Sequence, residues 1–185
     1  MRIRYNAPIT LTFALVAALV LAIDQLTGAG IIPALCMVPG KAAFSFTSFL
    51  DYVRIFTHVL GHVGWEHLLS NFAIILLIGP ILEEKYGSVS LFIMILITAL
   101  VTGLLNALLF STALLGASGV AFMMILLVSF TNIRNGEIPL TFILILILYL
   151  AKELISSVQA NQISEFAHIA GGICGSMFGF LRPRK

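Results

Sequence analysis

The chain alternates long apolar runs with short polar breaks. Six runs are long enough, or nearly so, to cross a bilayer as helices: Pro8–Ile23, Leu68–Leu82, Leu91–Phe110, Ala113–Phe130, Ile138–Ala151 and Phe166–Leu181. The connections between them are short, with one exception. The stretch from Asp24 to Glu66 carries Gly28, Gly30, Gly40, Pro33 and Pro39, which break helices, yet also apolar pieces such as Ile31-Ile32 and Phe44-Ser45-Phe46. That mixture predicts a long loop resting in the membrane interface. The pattern predicts an all-α membrane protein, a six-transmembrane-helix bundle with a long interfacial first loop. Residues 1–185 read as one transmembrane domain, since no polar stretch is long enough for a second, soluble one.

Composition agrees with the pattern. Of 185 residues, 60% are hydrophobic and only 10% charged, against roughly a quarter charged in soluble domains. A net charge of +2 leaves no electrostatic footprint for nucleic acid. Cys36 falls in the loop and Cys174 in an apolar run, which suggests neither a disulfide framework nor a zinc site. Arg2 and Arg4 before an apolar run resemble a signal peptide in part. No small-residue cleavage site follows, so the run reads as a retained first span.

Charge sets the expected orientation. Arg2, Arg4, Lys85, Arg134, Arg182, Arg184 and Lys185 fall on one side of the six runs; Lys41, Arg54 and Lys152 fall on the other. Positive residues favour the cytoplasm, so both termini are expected there. Runs two, four and six then all start at the outer face. His67 and Asn71 stand near the start of the second, Ser118 near that of the fourth and His168 near that of the sixth. Polar side chains are expensive within a bilayer and face a bundle interior or a wet cavity. Twelve residues separate Ser118 from Phe130, about 18 Å of helix, which sets the serine about 10 Å below the outer surface of a core about 30 Å thick. A cavity open to the outer face is implied.

These residue types fit acyl transfer. Ser118, between Gly116-Ala117 and Gly119, opens an apolar helix, where free N–H groups and the helix dipole favour a developing negative charge. A histidine can serve such a hydroxyl as general base. His168 precedes Gly171, Gly175 and Gly179, whose four-residue spacing gives a face for close helix packing, with Gly119 as the expected contact. His67 and Asn71, at i and i+4, share one helix face, and with the Ser118 N–H they can hold an oxyanion. No acid is placed to complete a triad: Asp51 lies in the loop, and Glu83 and Glu84 lie a membrane thickness away. The alternative for the histidines is metal binding by His58, His62, His67 and Glu66. The H-E-x-x-H pattern is absent, and three residues rather than two separate His62 from Glu66, so neither a metal nor another cofactor is expected.

The ordered motifs resemble the rhomboid family of intramembrane serine proteases, in the basic six-span bacterial form. They are Arg54-Ile55-Phe56-Thr57-His58 with His62, His67 and Asn71; Glu83 and Gly87 in the turn Glu83-Glu84-Lys85-Tyr86-Gly87-Ser88; the G-x-S-G of Gly116-Ala117-Ser118-Gly119; and Ala167-His168-Ile169-Ala170-Gly171 followed by Gly175. The resemblance covers roughly Arg54 to Leu181. It implies Ser118 as nucleophile, His168 as base, and His67, Asn71 and the Ser118 N–H as oxyanion donors. It makes His58 and His62 structural beneath the first loop. It also implies single-pass or polytopic membrane proteins as substrates, within the lipid bilayer of a bacterial plasma membrane. Oligomeric state stays open. Two positions depart from the family: Val53-Arg54 stands where Trp-Arg is common, and Phe122 stands where a Tyr often stacks on the catalytic histidine, so the ring is kept and the hydroxyl lost. A catalytically inactive relative that binds membrane helices is the alternative; such relatives typically lack the serine or the histidine, and both are present here.

Overall fold

In the computed structural model, residues 4–129 and 165–181 are described, together with 140, 143, 144, 147 and 148. The elements are α1 (Pro8–Thr27), α2 (Ile31–Leu35), α3 (Phe49–Thr57), a 3-10 turn (His58–Leu60), α4 (Trp65–Tyr86), α5 (Ser88–Leu109), α6 (Ser118–Ser129) and α7 (Glu165–Leu181). Helices α1, α4 and α5 are long and apolar enough to cross a membrane, and α6 and α7 are shorter apolar helices. The chain is thus an all-α membrane protein. Five of the six apolar runs correspond to these helices; the fifth, Ile138–Ala151, lies for the most part outside the described residues. Side chains of α1, α4, α5, α6 and α7 share one apolar core, with Ile75, Leu91, Met123 and Leu127 fully enclosed.

One boundary differs from the expectation. The fourth run is expected to be helical from Ala113, whereas α6 begins at Ser118. Residues before it are apolar but committed elsewhere. Val38 and Leu114 exchange two backbone hydrogen bonds of 2.9 and 3.0 Å, and Lys41 N–H donates to Phe110 O at 2.7 Å. With its amide and carbonyl paired across to the first loop, Leu114 cannot join a helix.

The first loop is an ordered structure. Gly28, at φ +63°, ends α1, and its N–H returns to Asp24 O. The Asp24 carboxylate then accepts from the N–H groups of Ile31 and Ile32, capping α2. Arg54 Nε donates to Ala34 O at 2.9 Å and its Nη1 pairs with buried Asp51 at 2.6 Å, so α3 holds α2. Arg54 therefore anchors the loop with Val53 beside it. Phe49, Tyr52 and Phe56 of α3, and Phe46 before it, are exposed while Asp51 and Ile55 of the helix are buried. An outward aromatic face over an inward acid suits the interfacial position predicted for this loop.

At the opposite end, Glu83 joins three elements. Its carboxylate accepts from the N–H groups of Ile9 and Thr10 at 2.9 and 3.0 Å, from Thr10 Oγ1 at 2.8 Å and from Ser88 Oγ at 2.7 Å. An anion thereby sits on the first turns of α1 and α5, where helix N–H groups lack partners. Gly87, at φ +81°, permits the tight turn from α4 into α5. Removing the carboxylate leaves buried donors unmatched. Glu83→Ala should destabilise the protein by about 3 kcal/mol, while Glu84→Ala, at an exposed neighbouring position, should cost almost nothing. Unfolding of both variants in detergent checks the contrast.

Candidate active site

Two glycines of α7 bring its backbone onto α6. A Cβ at Gly171 would strike the Gly119 carbonyl, and a Cβ at Gly175 would strike that of Met123. Both pairs advance by four residues in the same direction, so the helices run parallel, in register, at a separation only glycine allows. Continued back, that register sets Ser118 opposite Ala170, two residues or about 3 Å of rise from His168, at the end of the bundle nearest the first loop. Ser118 is the first residue of α6, following Ala117, whose carbonyl accepts the Ala121 N–H at 2.9 Å. The serine is half-buried while Gly116, Ala117, Gly119 and Val120 around it are buried. His168 is buried, and the Phe122 ring lies against it with centroids 4.6 Å apart and planes inclined by 37°. A stacked pair of rings, Phe110 and Phe166 at 3.9 Å, fixes the entry to α7 against the end of α5.

Helix α4 supplies the third side. His67 lies over Gly116, where an added Cβ would come within 2.7 Å of His67 Cε1 and 2.9 Å of its Nε2, and 3.9 Å from Asn71 Nδ2. Gly116 has φ +117°, a second reason for glycine there. Asn71 Nδ2 and His67 Nδ1 are buried and have no hydrogen-bond partner within the described residues. Buried donors left unpaired are costly, and these stand beside the segment that carries Ser118.

His58 and His62 hold that segment. The His58 carbonyl accepts the Gly116 N–H at 2.9 Å. His62 Nε2 faces the Ala117 N–H at 3.3 Å, and its Nδ1 faces Leu60 O at 3.3 Å. A carbonyl only accepts and an N–H only donates, so the His62 ring is neutral with its proton on Nδ1. The His58 ring donates from Nδ1 to Ile55 O at 2.9 Å, and its Nε2 lies 3.2 Å from Thr102 Oγ1. Burial pushes the pKa of both rings down to about 4, with His67 adding to the effect at His62. Among the described residues no three His, Cys, Asp or Glu side chains converge as metal ligands.

The family model described as Rhomboid domain matches residues 50–185. The chain belongs to the rhomboid family. It is 28% identical over 131 residues to the Rhomboid protease GlpG of Haemophilus influenzae, an alignment covering 69% of this chain and 68% of that protein. It is 30% identical over 142 residues to RHOMBOID-like protein 1 of Arabidopsis thaliana, covering 71% of this chain but 35% of that longer protein.

Two residues that support the site of this rhomboid are not singled out by the sequence motifs. Thr102 sits between His58 and Gly119: a Cβ at Gly119 would lie 3.1 Å from its methyl group. Asn106 is fully buried and donates from Nδ2 to Thr112 O at 3.0 Å and Pro39 O at 3.5 Å, tying both loops to α5. A signal for them exists. Thr98, Thr102 and Asn106 recur every four residues in an otherwise apolar run, one polar stripe on one helix face.

The neutral histidines give stability a direction with pH. Their folded pKa of about 4 lies below the ordinary 6.5, so the unfolded chain binds more protons between those values. Stability is full above pH 6.5 and is lost as pH falls toward 4. The melting midpoint in detergent should therefore drop by several degrees between pH 7.5 and pH 4.5. His62→Gln, which keeps an acceptor for Ala117 and cannot titrate, should narrow that difference; an unchanged difference would contradict the assignment.

Proposed function

We propose that this rhomboid is an intramembrane serine endopeptidase that cleaves membrane-protein substrates in or near their transmembrane segments. Ser118 Oγ attacks the scissile carbonyl carbon as a nitrogen of the His168 ring takes its proton. The oxyanion is held by the Ser118 N–H, His67 and Asn71; Asn71 Nδ2 has no other partner among the described residues. Collapse expels the amine, which takes the proton from His168 and leaves an acyl group on Ser118. Water, activated by the same imidazole, attacks the ester and releases the carboxylate. The dyad works without an acid, since the carboxylates of Asp51 and Glu83 are occupied elsewhere. Phe122 orients the imidazole by ring contact alone.

The observation that carries this reading is the seating of Gly171 on Gly119, which supports Ser118 and His168 lying within one helical turn of each other. The charge pattern supports cytoplasmic termini and a pocket open to the outer face, the six apolar runs support a six-span bundle, and the resemblance to the basic bacterial form supports a bacterial plasma membrane. Substrate enters laterally between the second and fifth spans, and a helix-destabilised stretch unwinds into the pocket. Ser118→Ala should abolish cleavage of a model transmembrane substrate in proteoliposomes while leaving the melting midpoint within a degree or two of wild type. Cleavage retained by that variant would exclude the mechanism.

A further inference from the structure

At the end of the bundle that holds the site, the acids whose side chains are described are Asp24, Asp51 and Glu66. Asp24 caps α2, and Asp51 binds Arg54 and the Ser45 N–H. Glu66 is exposed, and among the described residues its carboxylate takes part in no hydrogen bond or ion pair. It stands in the first turn of α4, one residue before His67. Glu66, Ser70, Ala73 and Leu77 follow at helical spacing and are exposed among the described residues. They form a strip beside the face that carries His67 and Asn71. Below the acid the strip is small and then apolar, a surface along which a membrane segment can lie. The exposed Trp65 and Val63 next to it mark the water–lipid boundary. A segment in that position would meet the negative charge of Glu66 just as it reaches the oxyanion donors.

Resting on the protease reading, we propose that Glu66 is a specificity-determining residue, favouring substrates with a Lys or Arg close to the scissile bond on its outer flank. An acid in a first helical turn also interacts favourably with the helix dipole. That role affects all substrates alike, so discrimination between substrates separates the two.

The test uses three model transmembrane substrates differing only in one outer-flank residue, Lys, Gln or Glu, cleaved by the full chain in proteoliposomes. Wild type should cleave the Lys substrate about fivefold faster than the Glu substrate in kcat/KM, the scale of one exposed ion pair. Raised salt should shrink the ratio. Glu66→Gln should flatten the series, and Glu66→Lys should reverse it; loss of the helix-dipole contact lowers the melting midpoint slightly in both and leaves the ratios between substrates unaffected. Equal rates for all three substrates with wild type, or a series that Glu66→Lys leaves in the same order, would overturn the role of Glu66 and leave the protease reading standing. Absence of Ser118-dependent cleavage of every substrate would instead overturn the protease reading, and this inference with it.

Discussion

Helices α6 and α7 touch backbone to backbone, and the site depends on that contact. In lipid there is no water to expel from between helices, so association relies on dispersion and close fit. Glycines at 171 and 175 remove the side chains that would keep the axes apart. The same contact fixes rotation as well as distance: with Gly171 on Gly119, the ring of His168 comes against Phe122 and is buried. A methyl group at either glycine would have to displace a carbonyl, and with it the alignment of the polar groups one turn away.

The rest of the molecule fixes the ends of this pair. At one end, the first loop and the segment before α6 are joined by the Val38–Leu114 hydrogen bonds and by Asn106, and the His58 and His62 contacts set the conformation of Gly116 and Ala117. At the other end, Glu83 fastens α4 to the starts of α1 and α5. The buried polar groups are thus of two kinds. Glu83, Asp51 and the two loop histidines are satisfied and act as fasteners. Asn71 Nδ2 and His67 Nδ1, like Asn106 Oδ1, have no hydrogen-bond partner within the described residues, and the first two belong to side chains that lie near Gly116.

Much of this is legible in the sequence, because helical periodicity is local. The i, i+4 pair His67 and Asn71, the glycine ladder after His168 and the G-x-S-G turn each place side chains on a face without knowledge of the fold. The starting point of α6 is not legible. Ala113 to Ala117 continue the apolar run of α6, and pairing with Val38, His58 and His62, far earlier in the chain, keeps them out of the helix. Glu83 is visible as part of a turn, but its partners lie 73 and 74 residues away at the start of α1. Asn106 and Thr102 stay hidden because a sparse polar stripe in an apolar run resembles ordinary helix packing until its partners are known.

The most direct measurement of the central claim is a structure of the protein after reaction with a fluorophosphonate. Phosphorus should be bonded to Ser118 Oγ, with the phosphonyl oxygen about 3 Å from Asn71 Nδ2 and from the Ser118 N–H. Folded protein that leaves Ser118 unmodified, or an adduct whose phosphonyl oxygen turns away from α4, would contradict that claim.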